Sequence, residues 1–150
     1  TKLEMDSIFE KVQDERFNQF VRFAYFTGAR TSEIRNLSKS QIGDDTIEVI
    51  GKTGKRFIKI NAQARRILFN MNPLWDYRRD FVTHKFKKEI RKIGVKNGRF
   101  HDLRRTFGLN LIKQGMSIYK VSKLLGHKSV TTTEQHYAPL LTSQIDDFIL

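Results

Sequence analysis

The sequence predicts a mainly helical α+β domain, and three observations carry that expectation. Apolar residues recur at close to a 3.6-residue period through most of the chain. One stretch, residues 46–60, changes to short β-like runs around a glycine-bounded turn. Glycine and proline divide the rest into short helices, with no internal repeat or low-complexity segment. A chain of 150 residues suits one domain. Leu, Ile, Val and Phe make up 45 of them. That share lies above the roughly 20% below which chains tend to stay disordered, so a packed core is feasible.

The elements follow in order. Residues 7–27 read as one helix, capped by Asp6 or Ser7, with Phe9, Val12, Phe17, Phe20, Val21 and Ala24 in helical spacing. Gly28 stops it, and Thr31 to Leu37 reads as a short second helix. Ile47-Glu48-Val49-Ile50 and Phe57-Ile58-Lys59-Ile60 flank Gly51-Lys52-Thr53-Gly54, which predicts a hairpin. A further short strand before Gly43-Asp44-Asp45 brings the expected antiparallel sheet to three strands. Asn61 then caps a helix over 62–70, and Pro73 and Trp75 mark a loop. Residues 82–93 form a basic helix ended by Gly94, and 102–114 a helix ended by Gly115. Ser117 caps 118–125, which Gly126 ends, and Ser129 caps a short helix that Pro139 closes. In the tail, residues 141–150, Leu141, Ile145, Phe148 and Ile149 make an apolar helical stripe, expected to dock on a neighbouring protomer or on its own core.

The 28 Lys+Arg against 16 Asp+Glu give a net charge of +12. The charge is segregated: residues 1–50 are net −2, 51–128 net +17 and 129–150 net −3. Concentrated positive charge is the footprint of a polyanion, and nucleic acid fits best because each cation at a phosphate releases a counterion. There is no cysteine, which excludes disulfides, zinc-thiolate sites, iron–sulfur clusters and a catalytic thiol. No apolar run approaches the ~18 residues of a membrane span, and the opening TKLEMDSIFEK is too charged for a signal peptide. The expectation is a non-membrane, cytoplasmic protein. The chain starts at Thr1 rather than Met, which suggests a piece of a longer protein.

Four segments carry chemistry: TGARTSE (27–33), GKTGK (51–55), HDLRRT (101–106) and LLGHKS (124–129) followed by Tyr137. Arg30 follows a helix stop, where a side chain can point into a cleft. His101 and Arg104, three apart, share one helix face. His127 lies between a glycine stop and a serine cap. Alone, each has a plainer explanation: a surface ion pair for Arg30, a structural histidine, a packing tyrosine. GKTGK lacks the phosphate-loop pattern and a following helix, and no H-E-x-x-H spacing argues for metal. Together, two guanidiniums, two imidazoles, a lysine and a tyrosine suit phosphoryl transfer. Arg offers planar bidentate donors to the non-bridging oxygens, a Tyr hydroxyl can be a nucleophile, and a Lys can protonate a leaving alkoxide. No carboxylate cluster is present to hold Mg²⁺.

In order and wording, these segments resemble the catalytic domain of the tyrosine recombinase (phage integrase) family, over about residues 6–140. TGARTSE resembles the first arginine motif, GKTGK the hairpin lysine motif, HDLRRT the H-x-x-R motif and LLGHKSVTTTEQHY the second-histidine and tyrosine motif. The resemblance implies the DNA breaking-rejoining fold with a small three-stranded antiparallel sheet. It implies Tyr137 as nucleophile, Arg30 and Arg104 as clamps on the scissile phosphate, and Lys52 as general acid, with Lys55 its rival. His101 would accept the tyrosine proton, His127 would hydrogen-bond the phosphate, and Glu33 would support the site. Lys55, Arg56, Arg105 and Lys128 are expected DNA contacts. Arg105, Gly108 and Ala138-Pro139 depart from the commoner pattern without removing a catalytic group.

The expected activity is strand cleavage and rejoining through a 3′-phosphotyrosine, in DNA integration or excision, with no metal and no cofactor. The expected partners are double-stranded DNA, further copies of the chain as a tetramer on two sites, and accessory DNA-bending or directionality proteins; alone, it should be a monomer. The family's usual N-terminal clamping domain has no counterpart in residues 1–150. A type IB topoisomerase-like enzyme and a non-catalytic DNA-binding relative are the alternatives.

Overall fold

In a computed structural model, the structure describes residues 2–51, 54–71, 73–147 and 149–150. Lys52 and Phe148, two residues singled out above, lie outside the described residues. The chain divides into two compact units, Thr1–Phe107 and Gly108–Leu150, and the boundary falls within one helix.

The first unit opens with two helices where the periodicity predicts one: α1 (Lys2–Lys11) and α2 (Glu15–Thr27). Asp14 caps α2, its carboxylate accepting from Phe17 N at 3.1 Å. Asn18 reaches back to the carbonyls of Phe9 and Val12, both at 2.9 Å, and Arg22 to that of Phe9 at 3.0 Å. The carbonyls left open by the end of α1 are thus satisfied from α2, so the break costs little. Phe17, Phe20 and Phe23 of α2 are fully buried. Trp75 packs edge-on against Phe20, and its indole N–H donates to Arg16 O at 2.8 Å. The Pro73–Trp75 loop is therefore part of the core, with its polar tip satisfied.

After α3 (Thr31–Arg35) and a 3₁₀ turn (Lys39–Gln41) comes the hairpin, β1 (Thr46–Gly51) with β2 (Gly54–Lys59). The strands run antiparallel, with Ile47 opposite Ile58 and Gly51 opposite Gly54. Ile47 and Ile58 are both fully buried, so a one-residue slip would turn the core pair out to water. The expected third strand is reduced to a single bridge between Ile42 and Ile47. Gly43 N donates to Thr46 O at 2.8 Å, and this tight turn leaves no length for a longer ladder. The sheet is otherwise the small antiparallel one expected.

Helices α4 (Ala62–Asn70) and α5 (Arg79–Lys92) follow, α4 capped by Asn61, whose side chain accepts from Ala64 N at 2.9 Å. Helix α6 (His101–Lys113) crosses the boundary. In the second unit, Ser117 caps α7 (Ile118–Leu125), Gly126 ends it at φ 71°, and Ser129 caps α8 (Val130–Ser143). Helix α8 runs through Pro139, where closure was expected, and ends at Ser143. Thr142 Oγ1 bonds Ala138 O at 3.1 Å, and Gln144 Nε2 caps α6 by donating to Ile112 O at 2.9 Å. The predicted helical tail does not extend beyond Ser143 among the described residues, and Ile145 and Ile149 are exposed. No helix among the described residues is long and apolar enough to cross a membrane.

Candidate active site

The first unit gathers Arg30, Glu33, His101 and Arg104. The turn after α2 explains why the sequence there reads Thr-Gly-Ala-Arg. Gly28 adopts φ 69°, a left-handed conformation, and its N–H returns to Ala24 O. A Cβ at Gly28 would also collide with the Phe107 ring, so both conformation and space require glycine. The buried Gly28 carbonyl at this turn accepts from Arg104 Nη1 at 2.7 Å. Arg104 is buried, and this bond fixes the plane of its guanidinium. Thr27 braces the turn, its hydroxyl donating to Phe23 O at 2.8 Å and accepting from Ala29 N at 3.2 Å.

Arg30 stands at the N-cap of α3, and its backbone N–H donates to Glu33 Oε1 at 2.8 Å. Glu33 is fully buried. Arg56 on β2 grips it with two hydrogen bonds, Nε to Oε2 at 2.7 Å and Nη2 to Oε1 at 2.9 Å. Gly51 makes room for this pair, since a Cβ there would lie 2.9 Å from Glu33 Cγ. The Arg30 side chain stays further off, with Nη1 3.7 Å from Glu33 Oε2. Arg30 Nη1 is buried and makes no hydrogen bond among the described residues. Burial pulls the Arg30 pKa below its ordinary value, the Arg56 charge adds to this and Glu33 opposes it; a guanidinium nevertheless stays charged. Burial works to raise the Glu33 pKa, but the hydrogen bonds from Arg56 and the Arg30 backbone, with both charges, carry it below the usual carboxylate range.

His101 opens α6 one turn before Arg104. Desolvation first, then the charges of Arg104 and Arg105, hold its pKa below the ordinary value, against the pull of Asp102. A neutral imidazole at pH 7 suits a proton acceptor. Lys55 projects into solvent, 3.5 Å from Glu48, and Arg105 is exposed.

The second unit holds His127, Lys128 and Tyr137. His127 follows the left-handed Gly126, and its backbone N–H donates to Ser122 O at 3.1 Å. Its Nδ1 bonds the hydroxyl of the buried Thr133 at 2.5 Å, which orients the ring from α8. His136 stacks on His127 with ring centroids 5.8 Å apart. Lys128 is exposed. Tyr137 is only 7% exposed, and its hydroxyl lies over the bare backbone of Gly108, where a Cβ would meet both the hydroxyl and Cζ.

Sequence reasoning did not find three of these partners: Arg56 as the carboxylate's clamp, the Gly28 carbonyl as the support of Arg104, and Thr133 behind His127. Only Thr133 carries a local signal, a β-branched hydroxyl one turn into the helix that follows the histidine.

The Gly108 contact gives a testable expectation. Alanine is favoured over glycine inside a helix by about 1 kcal/mol, so Gly108→Ala would ordinarily stabilise. Here the added methyl collides with the Tyr137 hydroxyl, so the substitution should lower the melting temperature. With Tyr137→Phe, which removes that oxygen but keeps the close Cζ, the penalty should shrink. Thermal unfolding of the four proteins in this cycle measures it; a stabilising Gly108→Ala with Tyr137 intact would show that the ring yields freely.

A family model described as the phage integrase family matches residues 56–143. The tyrosine recombinase XerC of Staphylococcus aureus (strain JH9) is 29% identical over 160 residues, a match covering 89% of this chain and 54% of the relative. The fold superposes on a XerA recombinase with a TM-score of 0.80 at 20% identity, covering 99% of this chain and 65% of that one. A lambda integrase dimer bound to a COC′ core site gives 0.79 at 20% identity, covering 100% of this chain and 62% of that one. The solved structures thus share the mainly helical fold with its small antiparallel sheet. This chain belongs to the phage integrase family. It spans about half the length of the curated relatives it matches.

Proposed function

We propose that this chain is the catalytic domain of a site-specific DNA recombinase. The observation that carries the reading is Arg30: a guanidinium held at a helix cap, with a buried Nη1 that makes no hydrogen bond among the described residues. A buried donor without an acceptor is costly, and a phosphate oxygen would satisfy it. In the proposed reaction, Arg30 and Arg104 hold the non-bridging oxygens of a scissile phosphate while Tyr137 Oη attacks phosphorus. The P–O(Tyr) bond forms and the P–O5′ bond breaks. Lys52 gives a proton to the departing 5′ oxygen, His101 takes the proton of the tyrosine, and His127 hydrogen-bonds the phosphate. The product is a 3′-phosphotyrosine with a free 5′-hydroxyl. Attack by a partner strand's hydroxyl reverses the chemistry, so the ester conserves the bond energy.

The partner is double-stranded DNA, and the full-length protein works as an assembly of copies on two sites in the cytoplasm. Support for assembly comes from a lambda integrase relative seen as a tetramer bound to a Holliday junction. The exposed Ile145 and Ile149 of the tail suit docking on a neighbouring protomer.

Incubating the full-length protein with nicked candidate attachment sites tests the reading. A denaturation-resistant adduct at the 3′ phosphate is expected. No adduct on any supercoiled, linear or nicked site would favour a non-catalytic DNA-binding role, and plasmid relaxation without strand exchange would favour a topoisomerase.

The lysine role has its own test. Lys52→Ala should slow cleavage of ordinary DNA far more than cleavage at a 5′-bridging phosphorothiolate, because a thiolate departs without a proton. Equal defects on both substrates would remove Lys52 from the general-acid role, and a selective defect in Lys55→Ala would transfer that role to Lys55.

A further inference from the structure

We propose that Arg56 is a positioning residue that keeps Arg30 available to the phosphate by occupying both oxygens of Glu33. The proposal rests on the recombinase reading, and it assigns Arg56 a task other than touching DNA.

Glu33 is a buried carboxylate between two guanidiniums, and a buried charge must be paired. Each of its oxygens can accept two hydrogen bonds. Oε1 is filled by Arg56 Nη2 at 2.9 Å and Arg30 N at 2.8 Å. Oε2 is held by Arg56 Nε at 2.7 Å. Oε2 keeps room for one more donor, but the fork already balances the carboxylate's charge, and Arg30 Nη1 stands outside hydrogen-bond range at 3.7 Å from Oε2. Its donor is therefore still uncommitted among the described residues.

Without the Arg56 fork, Glu33 would hold a buried negative charge with only one backbone donor. Arg30 needs to move by less than about 1 Å to supply the missing bonds, given ordinary N–H···O distances of about 2.9 Å. The two guanidiniums then differ in role for a structural reason. Arg56 lies in the middle of a strand, opposite Val49, with its fork turned onto the carboxylate. Arg30 lies at a helix cap, where its backbone satisfies Glu33 and its side chain is left for another anion.

The test is a suppressor experiment on the full-length protein, with single-turnover adduct formation on a nicked attachment site and DNA titration as readouts. Arg56→Met should slow adduct formation about tenfold or more, as expected when a phosphate donor is diverted, while DNA affinity stays within about threefold. Adding Glu33→Gln should recover at least about fivefold of that loss, since a neutral amide no longer captures a guanidinium. Arg56→Lys keeps a cation but loses the fork, and should show a smaller defect with the same rescue. It serves in place of Arg56→Met should that variant fail to fold. A rate within about twofold of wild type, or a double variant no faster than the single one, would overturn the proposal. Crystal structures separate it from the recombinase reading: in the Arg56 variant, Arg30 should close onto Glu33 to within about 3 Å. An unmoved Arg30 defeats the proposal even if adducts form, and a closed Arg30 sustains it even if the wild type forms none.

Discussion

Tyr137→Phe is expected to abolish the covalent protein–DNA adduct while leaving DNA affinity within about twofold, because one oxygen is removed and the ring remains to pack. The assignment rests on the place of Tyr137 after LLGHKSVTTTEQH, and on a side chain that α8 holds almost wholly buried. A phenol in general carries its proton at pH 7 and must give it up as its oxygen attacks. Nearby positive charge would favour the phenolate. Replacing the hydroxyl with hydrogen leaves no nucleophile, so the loss should be complete rather than graded. The phenylalanine ring fits the space that the tyrosine ring fills against the Gly108 backbone, so the fold should be kept. Denaturing gels of protein incubated with end-labelled nicked sites give the readout. If the Phe variant still forms an adduct, the nucleophile lies elsewhere. His136, stacked on His127, and Tyr119, exposed with Lys123 Nζ 5.4 Å from its ring centroid, would be next to replace.

Legibility followed the range over which each signal acts. Helices α6 and α7 are set by local periodicity, and α7 also by a serine before it and a glycine after it; the sequence placed both to within a residue. The α1–α2 break escaped because both helices bury apolar faces in the same core, so the 3.6 period carries on across residues 12–14. Asp14 was a visible cap signal, but it sat inside that uninterrupted pattern. Pro139 misled in the opposite direction. Proline lacks a donor and usually ends a helix, yet α8 continues for another turn, with side-chain oxygens of Thr142 and Ser143 bonding the carbonyls of Ala138 and Leu140. The tail's apolar spacing satisfied a helical template without the burial that makes a helix stable.

The candidate site shows the same division. Its candidate acids, bases and cations could be singled out because chemistry restricts which side chain types can serve. Their supports could not. Arg56 reaches Glu33 across 23 residues, and only through the register of the hairpin. Arg104 depends on a backbone carbonyl 76 residues earlier, and no sequence pattern marks a carbonyl.

That carbonyl also shapes the second large expected effect. Arg104→Ala should slow cleavage by at least the factor of about 10²–10³ that a lost oxyanion donor produces, and Arg104→Lys should restore little of it. The reason lies in how Arg104 is held. Nη1 is committed to the Gly28 carbonyl at 2.7 Å, and the rigid plane of the guanidinium then sets the direction of its remaining N–H groups. A lysine ammonium is a single point on a flexible stem. It can stay with the buried carbonyl or turn to the phosphate, but it cannot do both. Two separable outcomes follow. Arg104→Ala leaves the Gly28 carbonyl without this partner and should cost about 1–3 kcal/mol of stability. Arg104→Lys should recover much of that stability while remaining slow in cleavage. Thermal unfolding and single-turnover adduct formation, measured on the same preparations, resolve the two. Recovery of both by lysine would mean that only the charge of Arg104 matters, and the anchored-fork account of the clamp would fail.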